Sequence, residues 1–344
     1  MTDYAIEATD VVKKYPFMRA NRKGGRNIFK AVLGLDKANF VALDKATFQV
    51  KNGETFGLLG PNGAGKTTII KILSTILTYE GGSVKVEGIE VSKNPRKVLR
   101  NLQTVLTGSR GFEWRLSARQ SLSFYAALYG LSKKEADDRI EYLFDAMELG
   151  GYEDMMYQRL SSGLGRRLLL ARALLIDVPI LLFDEPTANL DPVSAVKFRR
   201  VIKDLATKGG KTIFLATHNM FEAQDMCDTI AIMGKGKVIA TGSPIEVRRL
   251  IGGTIKIDLG IQFLGSTGDR DLVRELEASP FVTHVSVKSS ADQIRRITIE
   301  AKNDVDLNGL LQGILSKNVM IRTLETSYPS LEDAFVALTA GGHA

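Results

Sequence analysis

Residues 54–68, ETFGLLGPNGAGKTT, decide the architecture. An apolar run ending at Gly60 reads as a buried strand and residues 61–65 read as a loop. Lys66 opens a segment whose Ile69, Ile70, Leu73, Ile76 and Leu77 recur at helical spacing. Strand, glycine loop and helix in that order satisfy G-x-x-x-x-G-K-[ST] in the setting the motif requires. Glycines let successive backbone N–H groups turn inward around a phosphate, and the helix N-terminus adds the positive end of its dipole. Gly60, Pro61, Asn62, Gly63, Ala64, Gly65, Lys66, Thr67 and Thr68 are therefore a candidate phosphate cradle. Lys66 is placed for β- and γ-phosphates and the Thr67 hydroxyl for Mg2+. Such a cradle fits kinases, GTPases and motor ATPases alike.

Two further apolar runs, 180–183 and 212–216, end abruptly in polar residues, as buried parallel strands do. Their C-terminal ends carry Asp184 with Glu185, and Thr217 with His218, at the edge where open α/β sheets bind ligands. Asp184 is placed to hold Mg2+ and Glu185 to polarise a water, a pairing that suggests hydrolysis. His218 is a candidate contact for the γ-phosphate or that water, whereas His284 and His343 lack such a context. From Ser117 to about Leu149 the pattern is helical. Ser132 and Glu135 form a capping box there, Ile140, Leu143, Phe144 and Met147 form an apolar face, and Phe124, Tyr125 and Tyr129 read as core.

A chain of 344 residues accommodates one large or two unequal domains. A hydrophobic fraction of 44% and a charged fraction of 25% exclude disordered, collagen-like and membrane-embedded classes. The longest apolar stretch, 168–183, is interrupted by Arg172 and Asp177 and falls short of the ~18–20 residues of a spanning helix. The acidic start MTDYAIEATD lacks the features of a secretory signal, and one cysteine, Cys227, permits no internal disulfide, so a cytosolic setting is expected. The net charge is +7. Residues 16–40 hold six of the cations, Arg19, Arg22, Lys23, Arg26, Lys30 and Lys37, against Asp36, a local +5 that reads as a basic surface arm. Composition shifts at 251–254, beyond which the pattern is strand, helix, strand, strand, helix, strand and a last short helix. The expected domains are thus 1–250, with the basic insertion and a helical lobe at about 113–165, and 254–344, a small α+β ferredoxin-like βαββαβ domain.

The segment Leu160-Ser-Ser-Gly-Leu164 precedes ILLFDEPTANLDP, is followed by Arg-Arg and LLLARALL, and resembles the signature of the ATP-binding-cassette (ABC) ATPases. The order of pieces agrees: glycine loop, signature, D-loop at 189–191 and switch histidine His218, over roughly residues 5–250. The resemblance implies an α/β P-loop cassette with a parallel-sheet core, an antiparallel β part and a helical lobe. It also implies ATP and Mg2+ as ligands, Glu185 as general base, and two cassettes paired head to tail. Ser161, Ser162 and Gly163 would then face the partner's ATP, with Asp191 in the D-loop. Each motif occurs once, so the second cassette is expected to be another copy of this chain. Aligning LQTVLT with the strand before the family's Q-loop glutamine puts Thr107 at that position, near Mg2+, with Gln103 four residues too early. Ser162 replaces the signature's first glycine and Leu164 its glutamine. Tyr15, in VVKKY, is the candidate for stacking on adenine, a core role being the alternative.

The tail 328–339, YPSLEDAFVALT, resembles the closing motif of cassette subunits of ABC-2-type exporters, including drug-resistance and polysaccharide or lipid exporters, whose membrane subunits are separate polypeptides. Residues 108–116 lie where such cassettes receive a helix of the membrane subunit. Arg110, Phe112 and Trp114 are candidate contacts, with a local core for the two aromatics as the alternative. The reading is therefore an ATP-hydrolysing exporter subunit on the cytoplasmic face of the membrane, working with a separate polytopic permease and without nucleic acid. A cassette ATPase acting on ribosomes or nucleic acid is the alternative, although such proteins usually carry two cassettes or a long coiled-coil insertion. A weakly hydrolysing regulatory module is a third reading. No residue names the substrate.

Overall fold

In the first of two units, Met1–Ser243, the chain runs β1 (Tyr4–Met18), β2 (Lys37–Lys51), β3 (Thr55–Leu59), α1 (Lys66–Leu73), β4 (Gly81–Val86), β5 (Ile89–Glu90), α2 (Pro95–Val98) and β6 (Leu102–Leu106). It continues through α3 (Ala118–Leu128), α4 (Lys133–Ala146), α5 (Ser162–Ala173), β7 (Ile180–Asp184), α6 (Pro192–Thr207), β8 (Thr212–Thr217), α7 (Met220–Met226), β9 (Thr229–Gly234) and β10 (Lys237–Gly242). The structure, a computed structural model, describes residues 3–18, 37–106, 112–250, 254–263, 269–289, 294–302, 305–317, 319–327 and 330–340.

Among the described residues the unit holds an antiparallel sheet ordered β2-β1-β4-β5 and a larger sheet ordered β10-β9-β3-β8-β7-β6. In the larger sheet every pairing is parallel except the β9–β10 hairpin. β3, β7 and β8 are buried along their whole length, as strands covered on both faces must be. The sheets share a core in which Phe48 of β2, Phe56 of β3 and Phe214 of β8 lie with ring centroids 5.6–5.8 Å apart. Cys227 is buried beneath β3, and burial pushes its thiol far up.

Three local expectations change. α1 ends at Leu73, because Thr75 adopts a left-handed conformation (φ 59°); Ile76 is exposed and Leu77 only packs on the core's edge. The helical stretch after Ser117 splits at Gly130 (φ 81°) into α3 and α4, each opened by its own capping box, Ser117 with Gln120 and Ser132 with Glu135. Phe124 is exposed, since the buried stripe of α3 runs through Ala118, Ser121, Leu122 and Ala126, and a position two residues past Leu122 faces the other way. β1 and β2 form a long hairpin whose register continues to Met18 opposite Lys37. The remainder of the expected basic arm, residues 19–36, lies outside the described residues.

The second unit, Pro244–Ala344, contains α8 (Pro244–Arg249), β11 (Thr254–Phe263), α9 (Asp269–Glu277), β12 (Val282–Ser289), β13 (Ile294–Lys302), α10 (Leu307–Leu315), β14 (Val319–Ser327) and α11 (Leu331–Ala340). Its sheet is antiparallel in the order β12-β13-β11-β14, so β11 to β14 with α9 and α10 make a split βαββαβ arrangement. Alternation along β11 buries Ile255, Ile257, Leu259 and Ile261 against Leu272, Leu276 and Ile314. No helix among the described residues is long and apolar enough to cross a membrane.

Candidate functional site

The glycine loop joins β3 to α1 and is pressed against neighbouring backbone. Gly65 has φ 111°, and a Cβ there would lie 2.8 Å from the Ala42 carbonyl, the Leu43 side chain and the Met233 methyl, so no other residue fits. Lys66 folds back over the loop. Its Nζ donates to the carbonyls of Gly60 (2.6 Å) and Pro61 (3.2 Å) and lies 3.7 Å from Glu185 Oε1, with the side chain 6% exposed. Burial lowers the Lys66 pKa, and the carboxylates of Glu185 and Asp184 oppose that shift.

The next residue, Thr67, donates its hydroxyl hydrogen to Asp184 Oδ2 at 3.0 Å. Asp184 ends β7, and burial raises its pKa while the Thr67 hydrogen bond pulls the other way. Glu185 follows in a left-handed conformation (φ 51°), its N–H donating to the Ala216 carbonyl of β8 at 2.8 Å. Beyond β8, His218 Nδ1 lies 2.8 Å from Glu185 Oε2. Because β3, β8 and β7 are adjacent, their C-terminal ends gather Lys66, Thr67, Asp184, Glu185 and His218 at one edge.

A cavity of about 460 Å3 opens beside this cluster, lined by Tyr15, Phe40, Asn62, Lys66, Thr67 and Asp184 among others. Its concave shape and convergent polar groups suit a phosphorylated ligand of moderate size. Tyr15 is half-buried and faces the cavity rather than the core. Phe40, directly opposite Tyr15 in the β1–β2 register, is a cavity residue that the sequence reading passes over. Only the hairpin register, set across the intervening insertion, places the two residues opposite each other. The hydroxyl of Thr67 and the carboxylate of Asp184 are hard oxygen donors of the kind Mg2+ takes. Among the described residues no group of three or more His, Cys, Asp and Glu could hold a metal.

Thr107 lies outside the described residues. Gln103 is opposite Leu181, whereas Leu106 is opposite Asp184, so Gln103 sits about 10 Å back along the strand at the usual rise of ~3.3 Å per residue. The signature residues form a separate feature. Ser161 caps α5, its Oγ accepting from the Leu164 N–H at 3.3 Å, and Ser162 and Gly163 begin the helix. A Cβ on Gly163 would lie 2.8 Å from Ser194 Oγ of α6, so the two helix starts pack together. Asp191 caps α6 by accepting from the Ser194 N–H at 3.0 Å. None of Ser161, Ser162, Gly163 and Asp191 lines the glycine-loop cavity.

Of the candidate partner contacts, Arg110 lies outside the described residues. Phe112 is buried against Tyr125 and Tyr157 with the Arg172 guanidinium 5.5 Å from its ring, which makes it local core. Trp114 is 45% exposed beneath Arg115.

Residues 43–188 match the ABC transporter family. The chain is 30% identical over 342 residues to the daunorubicin/doxorubicin resistance ATP-binding protein DrrA of Streptomyces peucetius, covering 98% of this chain and 93% of that one. It is 32% identical over 299 residues to the Nod factor export ATP-binding protein I of Burkholderia thailandensis, covering 87% and 92%. With the ABC transporter ATP-binding protein NatA of Bacillus subtilis it shares 34% identity over 209 residues, 60% of this chain and 85% of the relative. Among solved structures, cbiO1 of Clostridium perfringens superposes with a TM-score of 0.60 at 22% identity, over 81% of this chain and 96% of that one. A bacterial ABC transporter cassette solved as a dimer gives 0.57 at 23% identity, over 69% and 98%.

Proposed function

Because this chain belongs to the ABC transporter ATP-binding family, we propose that it is the ATPase subunit of an exporter whose membrane-spanning part is a separate polypeptide. The observation that carries this reading is the convergence of Lys66, Thr67, Asp184, Glu185 and His218 beside a cavity bearing an aromatic pair. Lys66 neutralises the β- and γ-phosphates from inside the glycine loop. Thr67 and Asp184 are the residues that hold Mg2+, which supplies charge neutralisation at those phosphates. Glu185 takes the proton of the attacking water, and His218, hydrogen-bonded to it, orients that carboxylate and reaches the γ-phosphate. Tyr15, with Phe40 opposite, offers the adenine a stacking face. Because Ser161, Ser162, Gly163 and Asp191 sit away from the cavity in their own chain, they serve the ATP held by a second copy. Loss of the γ-phosphate then removes the contacts that hold the pair closed.

Transport over ribosomal or nucleic-acid work is favoured by the company the chain keeps, ATP-binding proteins named for export and drug resistance. We place the subunit on the cytoplasmic face of the membrane, against a polytopic permease that selects the substrate. Mild-detergent purification of the C-terminally tagged chain from its native membranes is expected to bring down one such permease in stoichiometric amount. Recovery with ribosomes or nucleic acid alone would overturn the exporter reading and leave the ATPase standing.

Mg2+ coordination by Asp184 has a thermal signature. Burial holds its pKa up, so at neutral pH the native carboxylate carries a desolvation penalty that the unfolded chain does not. Asp184→Asn, which keeps an acceptor for Thr67, is expected to raise the Tm of the nucleotide-free protein by removing that penalty. That gain fades as pH falls from the raised native pKa towards the ordinary carboxylate range and is gone below that range, where both states are protonated. The same variant should lose most of the stabilisation that MgATP gives the parent protein. Thermal scans with and without MgATP read both effects, and an unchanged MgATP response would remove Asp184 from the metal site.

A further inference from the structure

Among the described residues the chemistry above leaves one buried acid unused. Glu222, on α7, is 1% exposed, and its Oε2 accepts the Thr217 hydroxyl hydrogen at 2.7 Å. Thr217 is the last residue of β8, fully buried, and its Oγ1 in turn accepts the Asn219 N–H at 3.0 Å. Asn219 caps α7 through Oδ1, which accepts from the Phe221 N–H at 3.0 Å and the Glu222 N–H at 3.3 Å. Residue 218 therefore sits in a turn pinned on both sides, by strand and by helix. The His218 side chain has no such support: it is 57% exposed, and its contact with Glu185 is made through Nδ1, the ring nitrogen nearest the backbone. An imidazole without a packed cage takes its direction from its backbone, and that backbone is fixed by the Thr217–Glu222 hydrogen bond. Arg199 of α6 supplies positive charge facing this carboxylate, and Glu185 and His218 also lie within its field. Burial raises the Glu222 pKa, a cost retained in exchange for the bond to Thr217.

We propose that Glu222 is a positioning residue for ATP hydrolysis: through the Thr217 hydroxyl it fixes the turn that carries His218 and so holds the imidazole against Glu185. This rests on the reading of His218 and Glu185 as hydrolytic residues. The test measures steady-state ATPase and ATP affinity of the full chain in six variants, Glu222→Gln, Glu222→Ala, Thr217→Ser, Thr217→Val, His218→Ala and the double variant Glu222→Ala/His218→Ala. Gln and Ser preserve the hydrogen bond and are expected to keep kcat within about threefold of the parent. Ala at 222 and Val at 217 are expected to lower kcat by about tenfold with KM for ATP unchanged, because the cradle that binds phosphate is untouched. In the His218→Ala background the Glu222→Ala change should cost no further activity, since what it positions is gone. Additive losses in that cycle, or parent-like kcat for both Glu222→Ala and Thr217→Val while His218→Ala is impaired, would overturn the proposal. If Glu222→Ala does not fold, the Thr217 pair decides alone. Parent-like turnover of His218→Ala itself would instead refute the underlying reading of the site.

Discussion

Glu185→Gln is expected to slow ATP turnover by about 10²–10⁴-fold, the usual worth of a positioned general base, with ATP affinity preserved or slightly improved. The amide keeps the size of the carboxylate and an oxygen for the His218 imidazole, 2.8 Å away, but it cannot accept a proton from water. It also removes one negative charge from the neighbourhood of the incoming phosphates. The Lys66 ammonium, 3.7 Å from Glu185 Oε1, then answers to the nucleotide with less competition. Binding and chemistry therefore separate in this variant. Because hydrolysis is the event that removes the γ-phosphate contacts, an ATP-bound pair of cassettes should accumulate, visible as a dimer in sedimentation with MgATP and absent with MgADP. Phosphate release at the parent rate would take the role of base away from Glu185.

Lys66→Ala is expected to act one step earlier. Its ammonium is buried and held by two loop carbonyls, so the positive charge is already oriented when the triphosphate arrives, and little reorganisation remains to be made. Removing one such preorganised donor lowers catalysis by about 10²–10³-fold in comparable sites. Here the lost charge also balances Glu185 and Asp184, so those carboxylates would face the phosphates unopposed. A fall of about 10³-fold in kcat/KM is expected, with weakened ATP binding as its main component. Lys66→Met, which fills the same space without charge, should match it, and Lys66→Arg should not rescue, because a planar guanidinium cannot take the place of a compact ammonium under two carbonyls. Equilibrium nucleotide binding distinguishes this pattern from that of Glu185→Gln, and undiminished ATP affinity in Lys66→Ala would contradict the cradle.

Lys66 and Thr67 were legible in the sequence through the glycine-loop motif that follows β3, and Asp184, Glu185 and His218 because each lies at or just past a strand end. β3, β7 and β8 announce themselves as short apolar runs, and the residues just past such runs share one edge of a parallel sheet wherever the strands are neighbours. What the sequence hid lies where partners are distant or where an element stops. Phe40 looks like any apolar residue at the start of a strand, and its place opposite Tyr15 depends on hairpin register across an insertion. Glu222 reads as an ordinary helix-surface acid between Phe221 and Ala223 and is buried only because its short helix folds back onto the end of β8. Phe124 belongs to an aromatic-rich run, yet the helix phase leaves it in water. The stop of α1 is set by Thr75 in a conformation that propensity does not anticipate for a β-branched residue.

With Glu185 as the proposed base, its left-handed backbone sets the demands of folding and hydrolysis against each other at one position. Stability alone would place glycine or asparagine there, since either adopts that conformation at lower cost. Neither could serve as a base. Aspartate would tolerate the backbone and keep the charge, but it is one methylene shorter and retreats from the water it should deprotonate. Position 185 thus holds glutamate against the preference of its own main chain, and the residue proposed to react is also one the fold must hold under strain.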